Sequence, residues 1–207
     1  MKIICIGRNY RAHIQELDHT DALPSLPQFF MKPDTALHRN NDPFYLPDFS
    51  QQLDYETELV VKINRVGKYI DRRFAHRYYS EVGLGIDFTA RDLQRQAIAE
   101  GLPWEMCKAF DHSAGISPEF IPLEELGGNI QDLHFEMRLN DEVRQQGWTG
   151  DMIFSVDEII AHISKFMTLK IGDLIYTGTP VGVGPLKAGD RLVASLENKV
   201  LLDFDIR

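Results

Sequence analysis

The chain has 207 residues, 43% of them hydrophobic, enough to bury one good core and to form a single domain over residues 1–207. Lys and Arg number 22 against 31 Asp and Glu, and the net charge of -9 excludes the basic footprint of a nucleic-acid binder. The apolar stretch at residues 3–6 is too short for a signal-peptide core, and no run reaches the roughly 18 apolar residues that span a bilayer, so a soluble, cytoplasmic protein without a membrane partner is expected.

Residues 2–6 read as a strand ended by Gly7, and residues 8–17 have weak helical character. His13 and Glu16 are three apart there, on one helical face, which suits either an exposed surface pair or a hydrogen-bonded dyad. Residues 18–27 are polar with two prolines and predict a loop, a hinge for the segment before it. A short strand at 29–32 stops at Pro33, and an Asn- and Asp-rich connection covers 34–43. Helical spacing with much charge covers 71–80, residues 82–88 form an apolar strand, and Thr89 caps a helix to Glu100 with Asp92 completing a capping-box pair. Cys5 and Cys107 have the spacing of neither a disulfide framework nor a metal knuckle, and both read as small buried residues.

Further on, residues 130–139 and 142–146 predict a hairpin turning at Asn140 and Asp141. Ser155 and Glu158 make a capping box for a helix whose core face is Val156, Ile159, Ile160, Ile163, Phe166 and Met167, with His162 on the surface. Leu174 to Tyr176 is a strand leading into the glycine-rich turn 177–184, which lacks the Gly-Lys-Ser/Thr of a phosphate loop. Residues 191–206 finish as strands with a turn near Asn198. Many strands with few helices and no regular alternation make an α+β domain.

The chemistry concentrates in residues 53–61, Leu-Asp-Tyr-Glu-Thr-Glu-Leu-Val-Val. In an extended chain Glu56 and Glu58 project to the same face. The pair is either the solvent face of an amphipathic strand or a site for a divalent cation, and carboxylate-only ligation suits a hard ion such as Mg2+ or Mn2+. Asp87, at the end of a buried strand beside a helix start, is placed to join such a site.

Gly7-Arg8-Asn9-Tyr10 with His13, Phe30-Met31-Lys32-Pro33, Leu53-Asp54-Tyr55-Glu56-Thr57-Glu58-Leu59, Gly85-Ile86-Asp87, Thr89-Ala90-Arg91-Asp92, Lys108-Ala109-Phe110-Asp111 and Thr177-Gly178-Thr179-Pro180 occur in order over nearly the whole chain. Together they closely resemble the fumarylacetoacetate hydrolase family, in its short acylpyruvate-hydrolase-like branch. The resemblance implies a mixed β-sandwich roll, a homodimer, and one Mg2+ or Mn2+ on Glu56, Glu58 and Asp87. It implies that His13 and Glu16 are a catalytic dyad on a lid spanning 8–27, that the Lys108 ammonium is held in a pocket to meet an anion, and that Lys32 lies near the substrate entrance. Arg8, Gln94 and the turn residues Thr177, Gly178 and Thr179 fall to substrate binding, and Arg91 is structural or close to the site. Ala109 stands where the family commonly has Ser, and His112-Ser113-Ala114 also departs from its pattern, so the pocket wall is not carried over.

Three protein ligands leave positions on an octahedral ion that a 2-oxo acid fills through its carboxylate and 2-oxygen. Breaking a carbon-carbon bond beside a pyruvyl group leaves a carbanion, tolerable as an enolate when a dication takes up its charge. His13, oriented by Glu16, takes a proton from the attacking water, and Lys108 stabilises the developing oxyanion. The expectation is therefore an acylpyruvate hydrolase releasing pyruvate. The same parts without a competent water give an oxaloacetate tautomerase, a decarboxylase or a 2-oxo-acid isomerase, and a noncatalytic metal-dependent binding protein is the third alternative.

Overall fold

The apolar runs at 3–6 and 59–61 lack polar alternation because the sheet they build is covered on both faces. The computed structural model describes residues 1–18 and 22–207, apart from the side chains of Leu17 and Asp18. Part of the expected loop at 18–27 therefore lies outside the described residues. The large sheet runs in the spatial order Gln28–Lys32, Ile3–Gly7, Leu174–Tyr176, Thr57–Ile63, Tyr79–Asp87, Ala114–Ile116 and Leu37–His38, with Ile121–Pro122 pairing to the start of Tyr79–Asp87. Ile3–Gly7 pairs parallel with Leu174–Tyr176, and Leu37–His38 with Ala114–Ile116; the other pairings are antiparallel.

Ile4, Ile6, Leu59 and Val61 face one side of this sheet and join the main core. Across that core lies a second, antiparallel sheet in the order Glu142–Trp148, His134–Leu139, Arg191–Leu196 and Lys199–Asp205, which contributes Phe135, Met137, Leu192 and Phe204. Phe44 and Phe88 stack at 4.0 Å between ring centroids within it. Ile3, Cys5, Val60 and Tyr176 face the other side and form a smaller cluster. A third, short sheet orders Gly184–Pro185, Leu53–Tyr55 and Thr89–Ala90. This is the mixed α+β roll that the sequence predicts.

Both expected hairpins are present. Asn140 and Asp141 have φ of 54° and 66°, and Glu197 and Asn198 have 46° and 67°, consecutive positive values whose twist matches that of the flanking strands. Ser155 caps Val156–Phe166 with the full reciprocal box: its hydroxyl accepts from the Glu158 amide, and the Glu158 carboxylate accepts from the Ser155 amide at 2.9 Å. Both cysteines are buried and free, as expected.

Several local expectations are corrected. The single strand at 53–61 breaks at Glu56, where the chain leaves the short sheet at Leu53–Tyr55 and enters the large one at Thr57–Ile63. Residues 71–80 make one helical turn, Arg72–Ala75, then a 3-10 turn at His76–Tyr78 before the next strand opens at Tyr79. Thr89 is not a helix cap: it pairs within the short sheet, the Arg91–Glu100 helix starts after Ala90, and Asp92 accepts from the Ser50 hydroxyl and the Gln51 amide, each at 2.7 Å. Phe166 is 61% exposed, its ring meeting those of Phe29 and His162 at a tilt instead of entering the core.

Ser155→Ala should lower stability by about 1 kcal/mol, read as a lower melting temperature. Burial nudges the Glu158 carboxyl up, but its bonds to Ser155 and the nearby Arg72 hold it below its ordinary value. The contribution of Glu158 is thus complete above the unfolded carboxylate pKa and lost as pH falls through the lower folded value, so the melting gap between the two proteins should narrow in acid.

Candidate active site

In the antiparallel pair of Thr57–Ile63 with Tyr79–Asp87, Thr57 faces Ile86 and Glu58 faces Gly85. Continuing that register sets Asp87 opposite Glu56, and the Asp87 amide donates to the Glu56 carbonyl at 2.8 Å. Glu56, Glu58 and Asp87 therefore converge on one face, each offering an oxygen within 4.8 Å of the others. They are 5%, 2% and 1% exposed, so the solvent-face reading of the Glu-x-Glu pair does not hold. At that spacing two carboxylates repel by roughly 3–4 kcal/mol even at an effective dielectric constant of about 20.

Buried cations answer most of this repulsion in an alternating chain. Lys32 Nζ lies 2.7 Å from Asp87 Oδ1; Lys108 Nζ lies 2.8 Å from Asp87 Oδ2 and 2.7 Å from Glu56 Oε2. Arg91 Nη2 then donates to Glu56 Oε1 at 2.6 Å, and its Nε donates to Asp54 Oδ2 at 2.8 Å. Burial would raise the Glu56 carboxyl, but Lys108 and Arg91 outweigh it and hold it far below the carboxylate range. Burial would discharge Lys108, but Asp87 and Glu56 outweigh it and keep the ammonium protonated. Three cations and three anions in this chain cancel.

Glu58 stands outside that balance. Among the described residues its carboxylate accepts a hydrogen bond from the Gly178 amide, at 2.7 Å. Burial and then Asp87 push its pKa well above the ordinary value. The donor set is three carboxylates with one negative charge left over, which fits a hard divalent cation held by Glu56, Glu58 and Asp87.

His13 is carried on the helix Arg11–Asp18 and lines the cavity of about 70 Å³ that opens on the acids, with Arg8, Gln94, Lys108 and Thr179 also in its wall. The ring Nδ1 lies 3.5 Å from Glu16 Oε2. Burial raises the Glu16 carboxyl, but His13 and the Gly182 amide, which donates to both its oxygens at 3.0 and 3.2 Å, bring it below its ordinary value. The segment before the helix is anchored: the Asn9 side-chain amide donates to the Thr177 carbonyl at 2.8 Å, and its oxygen accepts from the Phe154 amide at 2.8 Å. Gly178 has φ +99°, and a Cβ there would come within 2.7 Å of Asn9 Cβ, so this amide reaches Glu58 only from a glycine.

Other expected residues are also brought to the site, each with protein partners there. The three Lys108 protons go to Glu56, Asp87 and the Thr89 hydroxyl, so here the ammonium is a counter-ion to the acid cluster. Gln94 accepts from Arg91 Nη1. The Thr177 and Thr179 hydroxyls donate to the Leu59 and Thr57 carbonyls, at 2.8 and 2.9 Å, and bind the turn to the strand that carries Glu58. Lys32 is not at an entrance: it is 2% exposed, its ammonium lying on Asp87 and on the Lys108 and Ser113 carbonyls. Asp54 and Asn9 sequence reasoning missed as site supports; both sit within motifs already singled out, but only the contacts show their partners. Cys107 is buried with its thiol on the Trp104 carbonyl, at 3.2 Å.

Burial and Asp87 make Glu58 hold a proton more tightly than an ordinary carboxyl, and a cation is bound by the carboxylate, so binding of Mg2+ or Mn2+ should release protons, and more of them as pH is lowered. Calorimetry in buffers of different ionisation enthalpy should show that release, and Glu58→Gln should both abolish it and weaken metal binding.

The sequence model of Fumarylacetoacetate (FAA) hydrolase C-terminal matches residues 2–206. Oxaloacetate tautomerase YcgM of Escherichia coli is 40% identical over 200 residues, covering 97% of this chain and 90% of that protein. The mitochondrial oxaloacetate tautomerase FAHD1 of Mus musculus is 38% identical over 205 residues, covering 99% and 91%. Among solved structures, fumarylpyruvate hydrolase from Pseudomonas aeruginosa, in complex with Mn2+ and pyruvate, superposes with a TM-score of 0.92 at 33% identity, covering 100% of this chain and 89% of that one. The match across essentially the full chain, together with a fold and a buried acid triad that accord with it, makes this protein a member of the fumarylacetoacetate hydrolase family.

Proposed function

We propose that the protein is a divalent-metal-dependent enzyme of small 2-oxo acids whose main reaction is the keto-enol conversion of oxaloacetate. The observation that carries this reading is the similarity, at 38–40% identity over nearly the whole chain, to proteins named oxaloacetate tautomerase. It reverses the order expected from sequence, in which acylpyruvate cleavage came first. Charge supports an anionic substrate: the neutral chain of ions, Glu58 and a dication leave one positive charge for a substrate carboxylate to meet.

Glu56, Glu58 and Asp87 would hold Mg2+ or Mn2+, which when bound supplies Lewis-acid polarisation of the 2-oxo group. Keto-enol conversion moves one proton between C3 and the 2-oxygen and consumes no water, so it needs a proton carrier beside C3. Lys108 is kept protonated by Asp87 and Glu56, and Arg91 is engaged by Glu56, Asp54 and Gln94, which makes both of them donors and not bases. His13 is the cavity residue able to take and return a proton: Glu16 faces its Nδ1 and leaves Nε2 for the exchange. The second reading, cleavage of acylpyruvates, is favoured by that same pair, since a base held by a carboxylate also deprotonates water, and by the likeness to the fumarylpyruvate hydrolase.

The test follows oxaloacetate enol-keto conversion above its spontaneous rate and acetylpyruvate cleavage, using the same wild-type and His13→Ala preparations with Mg2+ or Mn2+. Wild type should convert oxaloacetate far more efficiently than it cleaves acetylpyruvate, and His13→Ala should slow conversion by about 10² to 10⁴ with metal affinity unchanged. Dominant acylpyruvate cleavage would establish the second reading, and metal binding with neither reaction would leave a noncatalytic binding protein.

A further inference from the structure

Gln145 is 1% exposed, and both ends of its side-chain amide are engaged. Its Oε1 accepts from the Thr57 amide at 2.9 Å, and its Nε2 donates to the Thr179 hydroxyl at 2.8 Å and to the Pro180 carbonyl at 3.0 Å. Thr57 is the residue between Glu56 and Glu58. The Thr179 hydroxyl donates in turn to the Thr57 carbonyl at 2.9 Å, so the backbone of Thr57 is held from both of its peptide groups through one glutamine.

A regular strand would not put Gln145 there. Met137 pairs with Gln145 but Arg138 pairs with Val143, so Arg144 is the extra residue of a β-bulge. The bulge leaves Glu142, Val143 and Arg144 exposed and turns Gln145 inward on the same side as Gly147. It also sets the Arg144 carbonyl against Gly182: a Cβ on Gly182, whose φ is +101°, would come within 2.1 Å of that oxygen. Gly182 is the residue whose amide holds Glu16. Thus two neighbouring residues of one bulge support both halves of the site, the strand segment with the metal carboxylates and the turn that steadies the His13–Glu16 helix.

We propose that Gln145 is a positioning residue of the enzyme. Its acceptor end sets Thr57, and with it the spacing of Glu56 and Glu58. Its donor end, together with the Arg144 carbonyl, seats the 179–182 turn so that the Gly182 amide meets Glu16 and fixes the direction of His13. The part concerning His13 rests on the function proposed above; the part concerning the carboxylates does not.

Three variants, assayed well below their melting temperatures, decide it. Gln145→Met keeps the length and removes both ends: Mn2+ affinity by calorimetry should fall about tenfold and kcat for oxaloacetate conversion roughly tenfold to a hundredfold, with KM little changed. Gln145→Glu keeps an acceptor for Thr57 but sets an oxygen against Thr179 and Pro180, so Mn2+ affinity should return towards wild type while kcat stays low. Glu16→Ala removes the Glu16 arm without touching the bulge and should retain Mn2+ affinity while losing kcat. A merely structural role would lower the melting temperatures and leave wild-type Mn2+ affinity and kcat in the folded proteins, and that result overturns the proposal. Should Gln145→Met not fold, a wild-type kcat in both of the other variants overturns it equally. A wild type that binds Mn2+ but converts no 2-oxo acid defeats the functional reading, and the Mn2+ affinities of the two Gln145 variants then still decide whether Gln145 sets the carboxylates.

Discussion

Everything about the site depends on one buried carboxyl group without a cation of its own. Lys32, Asp87, Lys108, Glu56, Arg91 and Asp54 form an alternating chain whose charges cancel, and Glu58, beside it, has the Gly178 amide as its partner among the described residues. Breaking one member of such a buried pair typically costs several kcal/mol because it leaves another charge bare. A fold that buries these groups together is poised to accept a dication, since the ion relieves the repulsion that burial creates.

That arrangement explains why the surrounding scaffold is rigid where it is. The acids come from the ends of two paired strands in a sheet buried on both faces, so their spacing is set by strand register. The turn 177–182 crosses the end of that sheet, bound back to it by Thr177 and Thr179, and delivers one amide to Glu58 and one to Glu16. One turn thereby ties the acid triad to the helix that carries His13, the coupling that the proposed proton transfer would require. The bulge at Arg144 extends this support into the second sheet.

The ambiguity between proton transfer and cleavage follows from the same economy of parts. As proposed, both reactions would pass through an enolate of a 2-oxo acid, and both would use His13 held by Glu16 as base. They differ in whether a water is admitted beside the distal carbonyl, which depends on the pocket wall and not on the acid triad. That wall is built by Phe30, Ile98 and Trp104, whereas Ala109 and the segment 112–114, where the chain leaves the family's common pattern and where the sequence led us to expect the wall, do not line the cavity.

The sequence by itself determined the α+β class, the two hairpins, the capped helix at Val156–Phe166 and the Glu56–Glu58 pair, because each rests on local spacing, whereas Asp87 completes the triad through the family resemblance and through strand register. The family resemblance added His13, Glu16 and Lys108 from ordered motifs. Only the tertiary structure decided which groups share a charge. Lys32 and Lys108 are 76 positions apart yet meet at Asp87, and Gln145 lies 88 positions from the Thr57 amide it holds. Thr89 has the composition of a helix cap but pairs in a strand, since Leu53–Tyr55 offers it hydrogen bonds that no local pattern announces. Local periodicity specifies which face a side chain takes; the partner it finds there depends on strand order and on long-range register, which single-residue spacing does not encode.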